Sequence, residues 1–363
     1  NEIGVYVSID RGESWSRLKA NLPTVPVDDI VIHPRENDMI LGTHGRSAWI
    51  MDDISPLEHL ASAPNVMAQA GEVFPMKKTI MWAQKGDWPF YGATYSASNP
   101  PRAVRVRYWL RDAVPGATAD EGEATTIELS VTDASGSHVR TLEGPGGSGV
   151  HEVLWDWRYD APYEAPSRGG GGGGRGGGTP QGPIVMPGTY TVSMTLGDES
   201  YSADVEIEAD PRRPMTMADR RTRQDALMSL HALAKPLYEA AERTGTLSDQ
   251  MDDAEALLGE HADAPESLGD ELAAIQTELE EIGDGLQEAR RWAGVGSAIQ
   301  GSSTLPTEDQ MWQIDAAWDA VPPLVERLNA LIGQRVPAFN ASLDAEGVRP
   351  DPGERLVVPR RRN

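Results

Sequence analysis

The residues best suited to recognition chemistry sit in the short run Thr43-His44-Gly45-Arg46-Ser47. A histidine titrates near neutral pH, and an arginine fork can hold a carboxylate through two parallel bonds. The same residues can instead brace neighbouring strands through backbone carbonyls, and a lone His-x-Arg favours that plainer role. Asp52 and Asp53 are adjacent acids. Neighbours along a strand point to opposite faces, which argues against an acid–base pair flanking one bond. Residues 246–290 hold fourteen acids and one base, Arg290. No EF-hand spacing occurs there, so a solvated helix face is expected rather than a metal site. His231 and His261 stand too far from other donors in the sequence to suggest a ligand set. Neither a metal nor a cofactor is expected.

Residues 168–178 read RGGGGGGRGGG. The run lacks the Lys and Ser/Thr of a phosphate loop and has two arginines where an RNA-binding segment would need many. A disordered hairpin loop is the expectation. Trp82, Trp88, Phe90 and Tyr91 form an aromatic set. Such rings can stack on sugars. Pinning a long connecting segment is the favoured role.

The chain has 363 residues, enough for two or three domains. With 56 acids against 32 Lys plus Arg, the formal net charge is −24. That balance argues against nucleic acid or an anionic membrane face as partner. No apolar run is long enough to span a bilayer. There is no Cys, which removes disulfides, thiolate catalysis and Cys-ligated zinc. The first residue is Asn1 and no signal-type segment precedes the first strand, so the chain is expected to be a fragment of a longer one.

The elements that must position these residues begin with a repeat. Residues 4–10 alternate as a strand and run into Ser8-Ile9-Asp10-Arg11-Gly12-Glu13-Ser14-Trp15. Asp10 can bond turn amides, Gly12 can take positive φ, and Trp15 is expected to fold over the turn and bury its ring. Residues 47–53 repeat the strand at an offset of 43, with Tyr6 matching Trp49, Val7 matching Ile50 and Asp10 matching Asp53. Residues 29–33 and 39–43 read as two further strands, separated by the turn-like Pro34-Arg35-Glu36-Asn37-Asp38. Four strands in such a period is the signature of a propeller blade.

The run from Ser8 to Trp15 matches S-x-D-x-G-x-x-W at all four defining positions and resembles the Asp-box of sialidase-like, or BNR, β-propellers. Similar blades occur in sortilin ectodomains and in several secreted glycoside hydrolases. The resemblance implies a structural role for Ser8, Asp10, Gly12 and Trp15, on the turn between a blade's third and fourth strands. It places the turn between the second and third strands on the ligand face, which makes Thr43, His44 and Arg46 candidates for contact with a glycan or protein ligand. After Asp53 the second copy lacks the Gly and Trp, which suits a last blade. Residues 1–60 would be one and a half blades, with upstream blades of the same protein as partners and exposed strand edges in their absence. The arginine triad, Tyr–Glu pair and Asp of the resembled sialidases map onto no set here, so catalytic residues stay unassigned.

Residues 61–101 read as a connector. Residues 102–209 alternate as six or seven short strands and suggest an immunoglobulin-like β-sandwich interrupted by the 168–178 loop. Its W-D and P-G-T-Y segments resemble Ig-like modules of flagellar hook-capping type, with Trp155 and Tyr190 expected in the core. Over 215–345 apolar residues step by three and four in three stretches, which predicts an antiparallel helical bundle. Thr307 with Gln310 predicts a capping box, and Pro322-Pro323 predicts a kink. Residues 346–363 read as a flexible tail. The fold class expected is therefore multidomain β + α.

The order of parts resembles the C-terminal part of secreted bacterial proteins with a sortilin-like or BNR propeller, some of them named as glycosyl hydrolases. Ile32-His33-Pro34-Arg35, Gly42-Thr43-His44-Gly45-Arg46, the run from Trp49 to Leu57, Asn99-Pro100-Pro101 and the helical region 300–343 carry the likeness. It implies secretion or a periplasmic location, and a binding or scaffold role for a protein or glycan ligand. The alternative it implies is part of a glycoside hydrolase whose acid–base carboxylates lie mainly on upstream blades.

Overall fold

A computed structural model of the chain describes residues 4–18, 21–63, 65–83, 100–114, 125–164, 180–261 and 264–345. Trp88, Phe90, Tyr91 and Asn99, the 168–178 loop and the 346–363 tail lie outside the described residues. The chain is mixed β and α and forms two compact units, residues 1–158 with 187–211 and residues 159–186 with 212–363.

The first unit opens with a hairpin of β1 (Tyr6–Val7) and β2 (Ser16–Arg17). An antiparallel meander follows: β3 (Val27–Ile32), β4 (Met39–Thr43) and β5 (Ala48–Met51). Asn37, at φ +55°, closes the β3–β4 turn, which His33 N secures on Asp38 O at 2.8 Å. Ile30, Leu41 and Trp49 stand opposite one another across the three strands, as do Ile32, Met39 and Met51. Directly opposed residues share a face, so this face is apolar. Val5 of the hairpin segment packs against it with Leu18 and Leu22. The other face carries its own apolar row of Val31, Ile40 and Ile50, with Val31 50% and Ile50 60% exposed. A sheet with apolar rows on both faces is built to be covered on both.

Trp15 departs from expectation. Its ring is 63% exposed and lines an open hollow of about 420 Å³ with Gly4, Val5, Tyr6, Val27 and Ile30. Polar bonds of Ser8, Asp10 and Ser14 close the preceding turn without it.

After β5 the chain enters α1 (Ser55–Ser62), with Pro56 in its first turn. Two strands then come from the stretch read as a connector: β6 (Gly71–Val73) and β7 (Thr79–Met81). They join β8 (Val104–Leu110), β9 (Thr126–Asp133), β10 (His138–Pro145), β11 (Gly149–Trp155), β12 (Gly188–Leu196) and β13 (Glu199–Ala209) in two sheets. One has the order β10-β9-β12-β13-β7 and the other β11-β8-β6. Val104, Val106, Tyr108 and Leu110 alternate inward along β8 and are buried, as are Leu129, Val131, Val192 and Met194 of the other sheet. Trp155 and Tyr190 meet edge to face at 5.2 Å, in the core as expected. Glycine is required at Gly144, where an added Cβ would lie 2.3 Å from Tyr108 Oη.

The second unit is helical. It comprises α2 (Met217–Glu260), α3 (Glu266–Ala293), α4 (Gly296–Gly301), α5 (Glu308–Ala330) and α6 (Val336–Ala345). Thr216 caps α2 by accepting from Asp219 N, and the Thr307–Gln310 capping box at α5 forms in both directions. The expected seam of Leu268, Leu272, Ile275, Leu279, Ile282 and Leu286 on α3 is buried throughout. α3 runs antiparallel to its neighbours, with Gly283 beside Thr244 of α2, Gly285 beside Leu324 of α5, and Arg335 paired to Glu271. α5 continues through Pro322 and Pro323, and the wider π-helical turn comes later, at Leu331–Arg335. Two arms, 159–164 and 180–186, lie with the helices. Tyr163 stacks on Tyr238 at 4.1 Å, His231 Nε2 meets Asp160 O at 2.9 Å, and Ile184 N donates to Gln300 Oε1 at 2.9 Å.

Candidate functional site

The turn 43–47 joins β4 to β5. Gly45 and Ser47 both take positive φ, +80° and +62°, which reverses the chain tightly. Thr43 Oγ1 donates to Ser47 O at 2.5 Å, and Trp49 Nε1 donates to Arg46 O at 3.1 Å. Thr43 is thus spent on holding the turn. His44 N donates to Pro26 O at 3.0 Å, which ties the turn to the segment leading into β3. His44 Nδ1 lies 3.4 Å from Asp28 Oδ2, with side chains 79% and 63% exposed. Arg46 is exposed and makes no ion pair among the described residues. The structure therefore brings His44, Asp28 and Arg46 to one open end of the meander. Arg17 Nη2 donates to Thr24 Oγ1 at 2.7 Å, beside a separate hollow of about 240 Å³ lined by Gly4, Leu18, Leu22 and Pro23.

The box residues form a closed polar turn. Ser8 Oγ donates to Asp10 Oδ1 at 2.7 Å and accepts from Gly12 N at 2.7 Å. Ser14 N donates to Asp10 Oδ1 at 2.9 Å, and Ser14 Oγ donates to Asp10 Oδ2. The bonds from Ser14 and Ser8 hold the Asp10 carboxyl well below the usual carboxylate range. A carboxylate so committed braces its turn. Arg11 at φ +62° and Gly12 at φ +95° give the turn its left-handed path.

Asp52 and Asp53 do not act together either. Asp52 Oδ2 meets Arg105 Nη2 at 3.0 Å, while Asp53 Oδ2 meets Arg107 Nη1 at 2.8 Å. Glu152 bridges the two arginines, at 3.0 Å from Arg105 Nη1 and 2.8 Å from Arg107 Nε. This five-residue lattice ties the end of β5 to β8 and β11. Sequence reasoning missed it, because alternating Arg105 and Arg107 read only as the outward face of a strand. A half-buried His59–Glu72 contact at 3.0 Å, edge-on to Phe74, also escaped notice.

Among the described residues no group of three or more His, Cys, Asp or Glu could hold a metal ion, and no helix is long and apolar enough to cross a membrane. No protein-family model matches the chain, and no curated protein does.

Proposed function

We propose that the chain is a binding or scaffold part of a larger secreted or periplasmic β-propeller protein. In this reading residues 4–60 form its last blades, β6 to β13 an Ig-like module, and the helices a spacer or docking surface. The turn bearing His44 and Arg46 meets a glycan or protein ligand. The observation that carries the reading is the β3–β5 sheet with apolar rows on both faces, one of them bare, a layer made to stand between two others. The box turn with its committed Asp10 supports it. The exposed Arg46, with no ion pair among the described residues, beside His44 supports ligand contact at this turn. Binding is favoured over hydrolysis because Asp52 and Asp53 are both held by arginines.

The test is an array of glycans and extracellular peptides probed with the longest natural form of the protein, wild type and His44→Ala/Arg46→Ala. The double variant loses binding while its melting temperature holds. Retained binding, or loss of the fold together with binding, overturns the assignment of this turn.

A further inference from the structure

We propose that Arg220 and Arg223, in the first two turns of α2, form a binding site for a small phosphate-type oxyanion. The two side chains are three residues apart and share a helix face. Both are half-buried. Arg223 Nη1 donates to Ser302 O at 2.5 Å, at the end of α4. That bond leaves the edge formed by Nε and Nη2, the edge that grips two oxygens of one anion. Nε is buried there with no partner. Arg220 Nη2 donates to the carbonyl of Arg213 at 3.2 Å. Neither guanidinium has a carboxylate within ion-pair distance among the described residues.

Acids outnumber Lys plus Arg by 56 to 32. Two arginines elsewhere that are partly shielded from solvent do meet carboxylates: Arg107 on Asp53 and Glu152, Arg335 on Glu271 and Glu278. An unmatched guanidinium away from water is unfavourable, and a second one beside it makes matters worse. Burial and the neighbouring Arg220 charge together lower the affinity of Arg223 for its proton. Cations in the first turns of a helix also oppose its dipole, whereas an anion there is favoured. The next side chain, Gln224, is 7% exposed and its Nε2 donor has no acceptor, a second unmet donor in the same turn. Across from it, Ser302 Oγ and Thr304 Oγ1 lie 2.7 Å apart and add hydroxyls beside the carbonyl that Arg223 bonds. One bound oxyanion would balance the charge and occupy the free arginine edge. This inference does not rest on the propeller reading.

The experiment is thermal melting of the full chain in sodium phosphate, against sodium chloride and sodium acetate at equal ionic strength. Wild type shows a saturable rise in melting temperature with phosphate alone. Arg223→Gln weakens the phosphate midpoint roughly tenfold or more, the loss of a charged, two-point contact. Arg223→Met, which buries no unmatched charge, melts at or above the wild-type temperature without phosphate and does not respond to it. If Arg223→Gln does not fold, Arg220→Gln reads the same loss of response. An unchanged phosphate response in these variants, a chloride response equal to phosphate, or a rise with acetate only overturns the proposal.

Discussion

Arg107 Nη1 lies 2.8 Å from Asp53 Oδ2, and the same guanidinium reaches the carbonyls of Asp52 and Asp53, each at 3.1 Å. Asp53 itself stands at φ +54°, accepts from Ser55 N at 3.2 Å, and donates its own N–H to Asp38 Oδ1 at 3.0 Å. One arginine on β8 therefore fixes the point at which the chain leaves the meander for α1. The pair is 13% and 15% exposed, deep enough for its loss to leave carboxylates stranded.

Arg107→Ala is accordingly expected to destabilise the chain by about 2 to 3 kcal/mol, because it uncouples Asp53 and Glu152 at once. Arg105→Ala, whose partners are more open to water, costs about 0 to 1 kcal/mol. Urea melts of the two variants provide the comparison. Equal effects would show that the lattice is a surface decoration.

Acid should loosen the box turn. Asp10 has a folded-state pKa depressed below its ordinary 3.8. Its contribution is complete above about pH 4 and falls away as pH drops below that value. Asp10→Asn should lower the melting temperature at pH 6 and narrow its gap to wild type as pH approaches 2. A gap that stays constant with pH would contradict the bonding seen at Ser8 and Ser14. Trp15→Ala, at an exposed position, should leave the melting temperature nearly unchanged.

Alkali should act through Tyr108. Burial pushes its hydroxyl up to about 12, and it donates to Pro145 O at 2.7 Å. A pKa raised on folding gives stability that is complete below the unfolded value of about 10 and is lost as pH rises toward 12. Tyr108→Phe should cost about 1 kcal/mol at pH 8, the missing bond, and flatten the loss between pH 10 and 12. Urea midpoints across that range measure it. An unaltered alkaline profile in the variant would assign the loss to another group.

Much of the architecture was legible because its signals are local. The α3 seam needed only a step of three and four, the Thr307–Gln310 cap only two residue types at the right spacing, and β8 only alternation. Trp15 was misread because an aromatic after a turn says nothing about what stands next to it. At Pro322-Pro323 α5 runs on as one helix, with Trp318, Val321 and Val325 buried around the prolines. The lattice of Arg105, Arg107, Glu152, Asp52 and Asp53 joins residues about a hundred positions apart, and no spacing rule reaches that far. The same holds for Arg223, whose lack of a carboxylate becomes visible only once its neighbours are in place. In the candidate site the sequence located the turn 43–47, while Asp28 entered only through the pairing of β3 and β4.

Radical footprinting of side chains would decide the standing of the bare sheet face. Val31 and Ile50 would be labelled in this chain alone and in a longer form carrying the proposed upstream blades. Both should label strongly in the chain alone and become protected in the longer form, with the β8 core silent in both. Equal labelling of Val31 and Ile50 in the two forms would contradict a meander layered between sister sheets.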